Sequence, residues 1–489
     1  MRKRIRILSL VLAILMFVPA VLAGCSNGSE PDVTEATTPS PVSADASDPV
    51  SDSSGNETTA APNKIDLEGY EFVLNTTAYS GLSAVEEQNG HAGTALFDEL
   101  MDIYAQIESD LNCVIIAENY DNGTEAMTAA AVGGVKLYDF GCCRQSTWIP
   151  LAMMGGIRPL DSMVEAGLDL YNEDVYNQIF TGMSEVEGKL YALDMTGKFD
   201  NTRLGHFYAF NKELCENAGY PADTLYQAVR DGEWDYDMFL EIARKVAKDT
   251  DGDGVNDIWG VALDTDGNEV WTNGAKMIYY DEAQDKWLAN LHDPQLMPAL
   301  QFMYDLSQND VQIPVIGNTV GRGDRRTMFY EGGAAFAGLF GSNLDADGCL
   351  ELAANGKLGC LPLPKGPNAD HYVMCMVDLD TFVCPVANQD WEKSVHVMNA
   401  IGSAVTDYDA YKAQQLEYLA GDEQALEMLF DYAASNAIMN IAKCSDEMYQ
   451  ITRKKGFFSN IYEMVLTPAQ AAETWQSVVQ AELDKVFQQ

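Results

Sequence analysis

Basic residues are scarce in this chain. Thirty Lys and Arg stand against 74 Asp and Glu, a formal net charge of −44 at pH 7. Such a field repels nucleic acid and anionic polymers. It excludes a nucleic-acid partner and argues against an acidic ligand unless a local basic site overrides it. Arg322, Arg325 and Arg326 form a basic cluster, which reads as a solvated face. Histidine is scarcer still. His91, His206, His292, His371 and His396 are scattered without metal-ligand spacing. The sequence has no Walker loop, no His-Glu-x-x-His and no Cys-x-x-Cys, so no nucleotide, zinc or dithiol chemistry is indicated. The ten cysteines are irregularly spaced, and one of them is set apart below. The nine that remain do not read as a disulfide framework and are expected to be buried and reduced. No internal repeat is visible.

Long apolar runs are absent except at the start, where Arg2, Lys3, Arg4 and Arg6 precede Ile7 to Ala23. That is a charged n-region and an h-region, too short and wrongly flanked for a membrane span. The run ends Leu22-Ala23-Gly24-Cys25, which resembles the bacterial lipobox and makes Cys25 the expected lipidation site. Residues 1–25 are read as signal and lipobox. Residues 26–63 are rich in Ser, Thr, Pro, Ala and Asp and bury too little to fold, so they read as a stalk. The remainder is long enough for two domains.

The most informative stretch is Gly232 to Gly260. Asp235 is placed to cap a helix, and Phe239, Ile242, Ala243 and Val246 recur at helical spacing on one apolar face. Asp249, Asp251, Asp253 and Asp257 then crowd together around Gly254. In a calcium loop, alternate positions supply side-chain oxygens, a glycine makes the sharp turn and the next residue supplies a carbonyl. Asp249, Asp251, Asp253, Val255 (through its carbonyl) and Asp257 fit those slots. The twelfth position should be a bidentate Glu and is Gly260, so the loop is not a complete EF-hand. The competing reading is a polar connector using Asp and Gly for turn chemistry.

A helix opening Gly-x-Trp-x-x-Asp that runs into Asp-x-Asp-Gly-Asp-Gly-x-x-Asp-x-x-Gly resembles the family 1 extracellular solute-binding proteins. These are sugar receptors of ABC importers related to maltose-binding protein, and alginate-binding relatives hold calcium in a comparable loop. Further segments follow in the family's order: Leu151 to Leu160, Gly188 to Leu193, Phe207 to Lys212, Met328 to Phe336 and Leu358 to Pro367. Strands alternating with helices indicate α/β lobes. The resemblance implies a two-lobed, periplasmic-binding-protein-like fold with a hinge and an interlobe ligand cleft. The first lobe is expected over residues 64–185, the second over 186–375, a return to the first over 376–425, and C-terminal helices, mainly on the second lobe, over 426–489.

The function so implied is a lipid-anchored, monomeric receptor on the extracellular face of the cytoplasmic membrane. It binds a carbohydrate, an oligosaccharide or plant-polymer fragment, by hinge closure and delivers it to an ABC permease without acting as an enzyme. Sugars stack an apolar face on aromatic rings and hydrogen-bond at the rim. Trp148, Trp271 and Phe340 are the candidate platforms, with Asp378 and Asp380 as rim partners; for Trp148 and Trp271, core packing is the equal alternative. The competing function is a surface-anchored glycoside hydrolase with a carboxylate pair that sequence alone does not identify.

Overall fold

In the computed structural model the residues described are 65–488 apart from 78–79, 120–123, 201–202, 264–266, 309–310, 313–321 and 455. The signal, Cys25 and the stalk therefore lie outside the described residues. Among the described residues no helix is long and apolar enough to cross a membrane.

Two four-stranded sheets organise the chain. The first has the order Thr381–Val383, Phe140–Cys143, Tyr70–Asn75, Cys113–Glu118. Its three early strands run parallel, with Tyr70 opposite Cys113 and Leu74 opposite Phe140, and the late strand joins antiparallel through Phe382 opposite Cys142. Parallel pairing needs helical crossovers. The Ala95–Leu111 helix supplies one and turns Leu100, Tyr104 and Ile107 into the core. The Trp391–Val405 helix packs against it, burying Val395, Met398 and Ile401. The second sheet has the order Leu358–Leu361, Phe207–Asn211, Ala334–Leu339, Trp259–Ala262, and every residue of these strands is buried. The Tyr236–Val246 helix covers it. Asp235 caps that helix through Met238 N at 2.9 Å, and Phe239, Ile242, Ala243 and Val246 are all buried.

The chain passes between the sheets at paired extended segments. Leu193 pairs with Phe382 and His206 with Cys375, both antiparallel. The first crossing thus lies between 193 and 206. It falls later than the expected boundary at 185, because the Glu185–Val186/Lys189–Leu190 hairpin still packs on the 160–166 turn of the first lobe. Gly205 is required here by close approach, since a Cβ would meet the Cys375 carbonyl oxygen at 2.6 Å. A further pairing, Met374–Met376 parallel to Ala437–Met439, joins the C-terminal region to the crossing. The chain returns earlier than 425, because the Tyr408–Tyr418 helix already packs on Asp347–Ala354 of the second lobe. The last helix, Pro468–Val486, opens with a Thr467/Gln470 capping box and packs on Gln145–Met153 of one lobe and Met297–Gln308 of the other.

All nine cysteines in the described residues are buried free thiols. Burial pushes the titration of eight of them up, to about 11 at Cys113 and about 12 at Cys215. That disfavours the reactive thiolate and agrees with the structural role expected of them.

Candidate functional site

A cavity of about 600 Å³ opens where the crossings meet. After the Phe140–Cys143 strand, Arg144 reaches it from the N-cap of the Gln145–Met153 helix and Ser146 from that helix's first turn. Leu204 and Gly205 come from the outward crossing, and Met376, Val377, Asp378 and Asp380 from the return. Phe340, Ser342 and Asn343 follow the Ala334–Leu339 strand, and Arg326 comes from the Arg322–Tyr330 helix. Lys443, Asp446, Tyr449, Gln450 and Arg453 close it from the C-terminal region. Both lobes and both crossings therefore contribute, as an interlobe cleft requires.

Buried polar groups hold the crossings in place. Arg203, 2% exposed, ion-pairs with Asp194 and with Asp200 at 3.3 Å and donates to the Asp380 carbonyl. The outward and return segments are thus tied at one guanidinium. Burial raises the Asp194 carboxyl, and the Arg203 charge opposes that rise. Gln145, wholly buried, donates to the Val377 carbonyl and accepts Leu379 N at 2.6 Å, which fixes the return segment to the first lobe. Burial likewise raises the Asp380 carboxyl, with Arg144 and Arg203 pulling it back. Arg144 Nε lies 3.7 Å from Asp378 and 3.6 Å from Asp380, and Lys443 ion-pairs with Asp378.

Three of the five candidate ligand contacts, Phe340, Asp378 and Asp380, line the cleft. The Phe340 ring lies against His206 with centroids 5.0 Å apart, and His206 Nδ1 accepts from the Asn268 amide at 2.8 Å. Trp148 and Trp271 do not line it. Trp148 is completely buried in the main core, and Trp271 is 9% exposed within the same core. The physical reason is local. The Gln145–Met153 helix carrying Trp148 is covered by the Pro468–Val486 helix. The polar residues around Trp271 are satisfied internally, because Glu269 accepts from Tyr208 at 2.8 Å and from Tyr462 at 2.9 Å.

Two members of the basic cluster, Arg325 and Arg326, do not form the solvated face expected of them. Arg325 is 6% exposed and donates to the Leu263 carbonyl at 2.9 Å, while Arg326 lines the cleft. Sequence reasoning also missed Arg144, Lys443, Tyr449 and Arg453. A usable signal existed for the last: Arg453-Lys454-Lys455 is a basic run in an acidic chain.

At the acidic loop, carboxylate oxygens of Asp249, Asp251 and Asp257 lie within 4.8 Å of one another. Asp253 is outside that group, and its carboxylate accepts Val255 N at 2.7 Å. Gly260 sits in the Trp259–Ala262 strand, where a Cβ would meet the Ala243 carbonyl oxygen at 2.4 Å. Packing against the preceding helix thus forbids the Glu that a complete loop needs. The donor set fits a hard cation at three carboxylates.

No protein-family model matches the chain. Solved structures do match in fold. The sugar-binding protein MalE of Xanthomonas citri superposes with a TM-score of 0.58 at 14% identity, covering 86% of this chain and 97% of its own. The cyclic α-maltosyl-1,6-maltose binding protein of Arthrobacter globiformis gives 0.57 at 14% identity, covering 85% and 100%. UgpB of Mycobacterium tuberculosis, in complex with glycerophosphocholine, gives 0.54 at 16% identity, covering 86% and 98%. The fold is that of the two-domain, maltose-binding-protein-like solute-binding proteins.

Proposed function

We propose that the protein is the solute receptor of an ABC importer, that it binds a carbohydrate between its lobes and that it releases it unchanged. The observation that carries this reading is the cleft. It is built from both lobes at their crossings and lined by the aromatic rings of Phe340 and Tyr449 among charged and amide side chains. Rings meet the apolar face of a sugar, and Asp378, Asp380, Ser342, Asn343 and Gln450 suit its hydroxyls. Closure of the lobes about their crossings would enclose the ligand and present both lobes to a permease. The solved structures of this fold named for maltosyl sugars and MalE support the same ligand class.

The reading is not enzymatic. A glycosidase sets a proton donor and a base on either side of the scissile bond, whereas Asp378 and Asp380 both lean on Arg144. The finer parts of the proposal are a lipid anchor at Cys25, a location outside the cytoplasmic membrane, a monomeric state, and calcium held by Asp249, Asp251 and Asp257. The test is incubation with saccharides that raise the melting temperature, followed by chromatography. Recovery of intact sugar is expected, and cleavage products would reinstate the hydrolase.

A further inference from the structure

The cleft gathers positive charge in a chain that has little. Four cations line it, Arg144, Arg326, Lys443 and Arg453, against three carboxylates, Asp378, Asp380 and Asp446. The whole chain carries 30 basic residues against 74 acidic ones. The four cations come from three distant parts of the sequence: the first-lobe helix N-cap at 144, the Arg322–Tyr330 helix, and the C-terminal segment between 443 and 453. Two of them are answered inside the cleft, Arg144 by Asp378 and Asp380 and Lys443 by Asp378, and the lining as a whole still carries one more cation than carboxylates.

The cations also sit beside the aromatic rings. Lys443 Nζ and Arg453 Cζ lie 4.6 and 5.1 Å from the Tyr449 ring centroid, and Arg326 Cζ lies 5.7 Å from that of Phe340. One carboxylate of the three, Asp380, is only 5% exposed, and burial raises its titration. It lies 3.6 Å from Arg144, so its charge is already answered inside the cleft.

We propose that the bound saccharide is anionic: a sugar whose ring rests on Phe340 or Tyr449 and whose carboxylate, sulfate or phosphate lies among Arg326, Lys443 and Arg453. This rests on the carbohydrate reading above and names its class. Guanidinium groups match the paired oxygens of such anions, and a walled cleft strengthens the attraction relative to open water. The overall charge of −44 does not forbid it. At physiological salt the screening length is about 8 Å, so distant surface acids are screened while cleft cations act at contact.

The experiment measures binding to the full chain by calorimetry. The probes are tri- and tetrasaccharides of galacturonate, glucuronate and mannuronate, each beside its carboxyl-reduced neutral twin, with a sulfated and a phosphorylated oligosaccharide as further arms. An acidic member should bind at least about tenfold more tightly than its neutral twin, the margin of one charge-assisted contact. That margin should shrink as salt is raised. Arg326→Gln and Arg453→Gln should each reduce it in protein that still unfolds cooperatively. The arm that binds identifies the anionic group. A neutral twin that binds as tightly as the acidic sugar overturns this inference and leaves the carbohydrate reading standing. If no saccharide of either kind binds, both are overturned.

Discussion

Two short stretches of the second lobe look alike in sequence and end in opposite places. Glu269-Val270-Trp271-Thr272-Asn273-Gly274 and Phe340-Gly341-Ser342-Asn343 each set an aromatic ring among small and polar residues. In the first, every polar group turns inward. Glu269 takes the hydroxyls of Tyr208 and Tyr462, Thr272 bonds the Glu269 carbonyl at 3.1 Å, and the Asn273 amide donates to the Gln295 carbonyl. In the second, the Asn343 carboxamide satisfies only the Phe340 amide, at 3.0 Å, and the ring faces the cleft. Polar neighbours therefore do not announce exposure. What decides is whether partners elsewhere in the fold satisfy them, and for Glu269 those are the hydroxyls of Tyr208 and Tyr462, 61 and 193 residues away.

The largest effects are expected at the buried tryptophans. Trp271→Ala and Trp148→Ala should each destabilise the protein by about 3–5 kcal/mol, the usual cost of an aromatic cavity. Chemical denaturation reads this directly. Either variant folding with wild-type stability and impaired binding would move that ring to the cleft. Next comes Glu269→Leu, which strips the acceptor from two buried tyrosine hydroxyls. A loss of about 1–3 kcal/mol per unsatisfied group is expected, with ligand affinity unchanged in the folded fraction.

Phe340→Ala should do the reverse. The ring is half-buried and packs on His206, so its removal should cost about 1 kcal/mol of stability or less. A lost stacking platform should weaken sugar binding about tenfold. Unchanged affinity in a titration with the saccharide that gave a thermal shift would remove Phe340 from the site.

Much of the fold was legible because local and global signals agree. The Tyr70–Asn75 strand, the Asp235 cap with its four-residue apolar face, and the Pro468 helix start all follow from patterns within one turn or one strand. The lobe crossings were harder, because Leu193 with Phe382 and His206 with Cys375 are pairs 189 and 169 residues apart. The site was half legible. Phe340, Asp378 and Asp380 follow strands whose ends face the cleft. Lys443, Tyr449 and Arg453 arrive on C-terminal turns that no strand pattern foretells, placed by the parallel pairing of Met374–Met376 with Ala437–Met439.

The smallest expected effect belongs to a third polar stretch, the loop from Asp249 to Asp257, which satisfies itself locally and remains exposed. Asp249 accepts Gly252 N at 2.7 Å and Gly254 N at 2.9 Å, and Asp257 accepts Thr250 N at 2.7 Å. The Gly254 amide is the main cause that holds the Asp249 carboxyl below its ordinary range, and the Thr250 hydroxyl does the same for Asp257. A carboxyl depressed in the folded state adds stability above its unfolded value, near pH 4, and loses it as pH falls through the folded value. Asp257 is exposed and Asp249 only partly covered, which keeps that contribution small. Calcium would act on the same charged forms. With a dissociation constant of about 0.1–1 mM, as in extracellular sites, millimolar calcium adds roughly 0.4–1.4 kcal/mol. The melting temperature at pH 7 should therefore rise modestly from chelator to calcium, and Asp251→Ala should abolish the rise. The rise should also fade below about pH 4, where protons displace the ion. Superimposable melts in chelator and calcium at pH 7 would leave the loop as a self-capped turn, in which backbone amides alone offset the crowding of its carboxylates.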